Sequence, residues 1–146
     1  MARRLTTLFV FLFCSGCATY GAISLDNLDV SMQDLQKLVS DNLPISLRSQ
    51  SINGREFFSD YFIVNKGEFE KFEEQPVRYY AHIYIMGDRR PYRIDTLVVR
   101  EHRVSGGKYE QIKFESTIAK TISRRMQQDL HKRRGERNII DDFRAF

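Results

Sequence analysis

Residues 77–86 alternate apolar and polar side chains without a break. Val77, Tyr79, Ala81, Ile83 and Ile85 fall on one side, and Arg78, Tyr80, His82 and Tyr84 on the other. Residues 92–104 repeat the pattern, with Tyr92, Ile94, Thr96 and Val98 on one side. Successive side chains of a strand point to opposite faces, so both stretches read as half-buried strands. Gly87-Asp88-Arg89-Arg90-Pro91 lies between them as a turn and makes them an antiparallel hairpin. Their apolar faces must coincide, because a one-residue slip would send one strand's core residues into water. The register that satisfies this condition sets Ile85 opposite Tyr92, His82 opposite Asp95 and Tyr84 opposite Arg93.

Other signals place elements around this hairpin. Ser31 is a helix cap for Asp34, and Met32, Leu35, Leu38, Val39 and Leu43 recur at helical spacing until Pro44 stops the run. Asn53-Gly54 suits a tight hairpin turn between strands 45–51 and 55–64, the second apolar on both faces near its end and therefore expected to be covered on both. The stretch 65–76 reads as a glutamate-rich loop whose Phe69 and Phe72 fold back on the domain as a satellite cluster or, as the alternative, form an exposed anchor for a partner. Gly106-Gly107 turns the chain into a last strand, 108–114. Ser116 then opens a helix carrying Ile118, Ile122, Met126 and Leu130, which is expected to run to about Arg134 and end at Gly135. These elements predict an α+β domain: a largely antiparallel sheet of four to five strands, a short N-terminal helix and a longer C-terminal helix. Both helices carry an apolar stripe and are expected on one face of the sheet.

The N-terminus has a different character. Arg3 and Arg4 precede an apolar run from Leu5 to Phe13, and Cys14-Ser15-Gly16-Cys17 follows. A cationic start, a short apolar stretch and small residues before a cut are the parts of an export signal. The run is too short to span a bilayer, which takes about 20 apolar residues. The segment resembles a bacterial lipoprotein signal, with Ser15 and Gly16 as the small residues before the cysteine and Cys14 where leucine is usual. That resemblance implies cleavage before Cys17, acylation of Cys17, and a chain divided into a signal peptide (1–16), a lipidated tether (17–28) and one globular domain (29–146); the rival reading of the same residues is ordinary signal cleavage after Ala18, with Gly16 and Ala18 as the small residues. It also implies an outer-membrane destination on the periplasmic side, since Ala18 rather than aspartate follows the cysteine. Cys14 and Cys17 also spell Cys-x-x-Cys, but zinc would need a second ligand pair and a redox pair would need a domain upstream. The order of elements resembles that of small outer-membrane lipoproteins serving lipopolysaccharide-transport or secretion machines.

The search for chemistry is short. His82, His102 and His131 have no metal-ligand spacing, and no serine-nucleophile elbow, dinucleotide fingerprint or phosphate loop occurs. No metal or cofactor is implied and the expectation is a protein that is not an enzyme. The formal charge of +4 falls by two when Arg3 and Arg4 leave with the signal. What basicity remains is concentrated near the C-terminus, where Arg124, Arg125, Arg133 and Arg134 either contact anionic head groups or an acidic partner or, as an equal alternative, only complement the negative end of the helix dipole from a solvated face. The combined reading is a membrane-anchored lipoprotein with a small binding or scaffolding domain, held through Cys17 and serving an envelope assembly or transport complex alongside other envelope proteins. No nucleic acid is expected. The alternative, if the N-terminal signal is misread, is a cytosolic nucleic-acid-binding domain using Tyr79, Tyr80, Tyr84 and Tyr92 with the neighbouring arginines.

Overall fold

The computed structural model describes residues 21–143. The signal segment, Cys17 and the last three residues lie outside the described residues. Among the described residues the fold is α+β, as the sequence predicts, with two helices and eight strands in one antiparallel sheet rather than four or five strands. Two long strands form its centre: β6 (Val77–Met86) and β7 (Tyr92–Arg103). Each is flanked on its outer side by two short strands laid end to end. Along β6 these are β3 (Glu56–Ser59) and β4 (Phe62–Asn65); along β7 they are β1 (Ile23–Leu28) and β8 (Tyr109–Phe114). At the margin, β2 (Leu47–Gln50) pairs with β3, and β5 (Glu68–Lys71) pairs with β4.

The extra strands arise where the chain breaks or reuses a stretch that reads as continuous. The expected strand 55–64 divides at Asp60-Tyr61, where the Tyr61 amide donates to Asp60 Oδ1 at 2.8 Å. The glutamate-rich stretch expected as a loop contains β5 instead. It joins β4 through Lys66-Gly67, both at positive φ (51° and 88°), as a two-residue hairpin requires. Asn53-Gly54, the expected tight turn, belongs to a longer connection from Ser51 to Arg55, with only Gly54 at positive φ. Val64 in β4 stays exposed, so that strand is not covered on both faces. Residues 23–28, read as tether, are the strand β1.

The β6–β7 hairpin has the expected faces and a different register. Ile85 lies opposite Ile94, Tyr84 opposite Asp95 and His82 opposite Leu97, two residues away from the expected pairing. The expected register would set Met86 opposite Pro91, which has no N–H to give the ladder. A shift of two preserves which side chains share a face, and so the core is unaffected.

That core lies between the sheet and both helices. Helix α1 (Met32–Asn42) starts at Ser31, whose Oγ accepts the Asp34 amide at 3.1 Å, and buries Leu35, Leu38 and Val39. Helix α2 (Ser116–Phe143) buries Ala119, Ile122, Met126 and Leu130. It touches α1 and lies over β7 and β1. Beneath them sit Phe57, Phe62, Ala81, Ile83, Ile85, Ile94 and Val98. Each large side chain fully removed from water here contributes about 1.5–3 kcal/mol. Phe69 of β5 closes over Phe62 with ring centroids 5.2 Å apart, folding back on the domain as expected. Gly135 does not end α2, which continues through the apolar tail to Phe143.

Candidate functional site

Both helices cover one face of the sheet. The opposite face carries the even-numbered residues of β6 and their partners, and among the described residues no helix covers it. Its side chains fall into two clusters. In the first, Arg78 of β6 pairs with Glu101 of β7, Nε to Oε2 at 2.6 Å, with the two side chains 18% and 14% exposed. The guanidinium lies 3.6 Å from the ring centre of Tyr61 and 3.9 Å from that of Tyr109. Phe72 meets both rings edge-on, and Tyr109 is held by its hydroxyl donating to the Gln75 carbonyl at 2.6 Å. Arg48 of β2 lies over Tyr61 and Tyr80 at 4.3 and 5.0 Å. Cations over aromatic faces attract through the ring quadrupole, more strongly where water is excluded.

The second cluster is a stack. His82 lies between Phe58 and Tyr84 with both centroid distances 3.9 Å, and the Tyr84 hydroxyl meets His82 Nδ1 at 2.8 Å. Burial holds His82 below its usual value, while Glu56 pulls the other way from 3.6 Å, too far for a hydrogen bond. Burial also raises the Tyr84 and Tyr80 phenols above their ordinary values. The expected His82–Asp95 pair does not form. Register sends His82 to Leu97, and Asp95 instead accepts hydrogen bonds from Ser24 at 2.7 Å and Arg93 at 2.9 Å. Asp95, Tyr84, Met86 and Ala22 line a shallow cleft of about 220 Å³. Among the described residues no group of three or more His, Cys, Asp or Glu side chains gathers as a metal site, and no helix is long and apolar enough to cross a membrane.

The four arginines of the C-terminal helix do not act as one patch. Arg133 joins α2 to α1, bonding Asp129 at 2.7 Å and Asp41 at 2.8 Å. Its hydrogen bonds hold both carboxyls below their usual range, and Asp129 raises Arg133 in return. Arg125 reaches Glu68 at 3.4 Å and lies over the Phe69 ring at 4.6 Å, tying α2 to β5. Arg124 and Arg134 are exposed, and neither forms an ion pair among the described residues. Arg124 borders a cleft of about 400 Å³ with Gln127, Gln128 and His131. Arg134 and His131 border another, about 420 Å³, against Ser24, Asp26 and Asn27 of β1.

Strict alternation was enough to assign Arg78, Tyr80, His82 and Tyr84 to a shared face. Arg48, Tyr61, Phe72 and Tyr109 reach the same face from four other segments, and no local pattern marks them. Tyr79 belongs to the helix-covered side, where it packs on Phe62, so the tyrosines of the hairpin are divided between the faces. No protein-family model, curated protein or solved structure matches the chain.

Proposed function

We propose that this protein is a lipoprotein held to the membrane through acylated Cys17, and that its domain is a non-enzymatic binding module on the periplasmic side, an accessory part of an envelope assembly or transport complex. The observation that carries the binding role is the sheet face that no helix covers among the described residues, which presents Arg48, Tyr61, Tyr80 and Phe72 as a continuous cation–aromatic surface. Aromatic and arginine side chains are the residues enriched where proteins bind proteins, because they bring large contact area together with directed polar groups. Arg78 already lies over the rings of Tyr61 and Tyr109, which favours a protein partner over stacked bases. The outer-membrane assignment rests on the resemblance of residues 14–18 to a lipoprotein signal.

Two measurements test this reading. The intact mass of the protein from its native membrane gives a chain beginning at Cys17 and heavier by acyl chains, absent from a Cys17→Ser variant. An unprocessed chain recovered from the cytosol overturns the anchor. A photo-crosslinker placed at Tyr80 gives a discrete envelope-protein adduct that Arg48→Glu removes and that a crosslinker at Lys132, on the outer side of α2, does not form. Equal labelling from both positions overturns the binding face.

A further inference from the structure

On the proposal that Cys17 carries a lipid, the structure assigns one edge of the domain to the membrane: we infer that the β1/β8 edge and the adjoining flank of α2 lie against an anionic lipid surface. The described chain begins at Gly21, where a Cβ would stand 2.8 Å from Cβ of Phe114 in β8. Four residue steps separate Gly21 from Cys17, a reach of about 14 Å when fully extended. Acyl chains on Cys17 therefore keep the end of β8 within a short distance of the head groups, whichever way the tether runs.

The residues at that edge suit such a surface. Phe114 and Ile112 of β8 are 39% and 55% exposed and stand on an edge strand, where no further strand covers them among the described residues. Phe114 pairs with Val99 and so stands on the helix-free face of this edge, while α2 runs along the other face and carries Lys120, Arg124, His131 and Arg134 at helical spacing along one flank. Together they cover about 21 Å of helix. The flank faces β1, since His131 and Arg134 share their cleft with Ser24 and Asp26. Lys120, Arg124 and Arg134 are exposed and form no ion pair among the described residues; the acidic residues on or next to this edge are Asp26, Asp29, Glu110 and Glu115, the last paired with Arg100 and Lys113. Apolar side chains at the depth of the acyl boundary, flanked by cations at the depth of the head groups, are how peripheral surfaces engage anionic lipid. One acyl-anchored point gives the domain proximity, and this edge would give it orientation. Phe114 shares the helix-free face with Val99 and Tyr80 but stands at its outer margin, so the cluster around Arg48, Tyr61 and Arg78 would still be open to a partner.

The chain contains no tryptophan, so a single one reports its own surroundings. The acylated full-length protein carrying Phe114→Trp is reconstituted in vesicles of phosphatidylethanolamine with a minor fraction of phosphatidylglycerol, the acyl chains brominated as quenchers. Ile52→Trp, on the β2–β3 connection at the opposite side of the sheet, is the control. The reporter at position 114 is expected to be blue-shifted and several-fold more strongly quenched than the one at position 52. Adding Arg124→Glu and Arg134→Glu is expected to remove the dependence of that quenching on phosphatidylglycerol. Equal quenching at the two positions, in protein whose mass shows the acyl chains, overturns the docked edge and leaves the anchor standing. A mass without acyl chains overturns both.

Discussion

Removing Arg78 tests whether the uncovered face is a rigid surface or a loose collection of side chains. In an Arg78→Met variant, the Glu101 carboxylate loses the partner it holds at 2.6 Å while remaining only 14% exposed. Breaking a buried pair from one side costs about 3–5 kcal/mol, because the remaining charge stays desolvated. The partial exposure of both partners brings that to about 2–3 kcal/mol, and the lost contacts with Tyr61 and Tyr109 add about 1 kcal/mol, some of which the methionine restores by packing. The expected loss is about 3 kcal/mol. Glu101→Gln alone keeps the shape and costs about 1 kcal/mol, and adding Arg78→Met to it costs much less than adding it to the wild type. The coupling in this double-mutant cycle is expected to be about 2 kcal/mol. Urea unfolding followed by circular dichroism gives each value from the midpoint at unchanged slope. Arg78→Lys separates charge from shape: a lysine keeps the cation but lacks the flat guanidinium that fits between two rings, and is expected to recover less than half of the loss. A coupling below about 0.5 kcal/mol is the value of a solvated surface pair, and would refute the argument that this face is rigid.

Two further outcomes follow from buried chemistry and helix geometry. Because burial lowers the His82 pKa, the unfolded chain takes up its proton first, so stability is full above the ordinary value of 6.5 and falls as pH drops toward the folded-state value. His82→Gln should flatten that slope in urea midpoints measured across the window, whereas stability that rises on acidification would mean that the attraction of Glu56 prevails over burial. Gly135→Ala should stabilise the domain by about 0.5–1 kcal/mol, since α2 passes through that position and nothing stands within 4 Å of the added Cβ. A loss of stability would show a helix that ends there.

The parts of the fold legible in the sequence are those fixed by local periodicity. Ser31 and Pro44 bracket α1 in the sequence and in the structure, and period two sorted β6 and β7 into the correct faces. Parity, however, does not distinguish registers two residues apart. That choice falls to the turn, and specifically to Pro91, which is why His82 and Asp95 were matched and do not meet. The division of 55–64 was illegible because Tyr61 is as good a strand residue as its neighbours; only the Asp60 carboxylate, bonding the next amide, marks the break. Glutamates concealed β5, although Lys66-Gly67 carries its turn. The basic cluster was legible as composition and not as structure. Asp41 and Glu68, which engage Arg133 and Arg125, lie 92 and 57 residues away along the chain.

The arrangement of short strands around β6 and β7 has a consequence for the order in which the chain can assemble. The central hairpin is local, its two strands joined by a short turn, and can form as soon as both are present. The strand nearest the N-terminus has no such neighbour. Ser24 must wait for Asp95, 71 residues further along, before it has a hydrogen-bonding partner in the sheet. Helix α2, which closes the core over both β1 and β7, comes later still. A chain delivered from its N-terminus therefore keeps its core open on the α2 side until the last helix has arrived. Such a chain can be threaded through a narrow passage with at most a local helix and hairpin to pull apart on the way, because the element that closes the core arrives last.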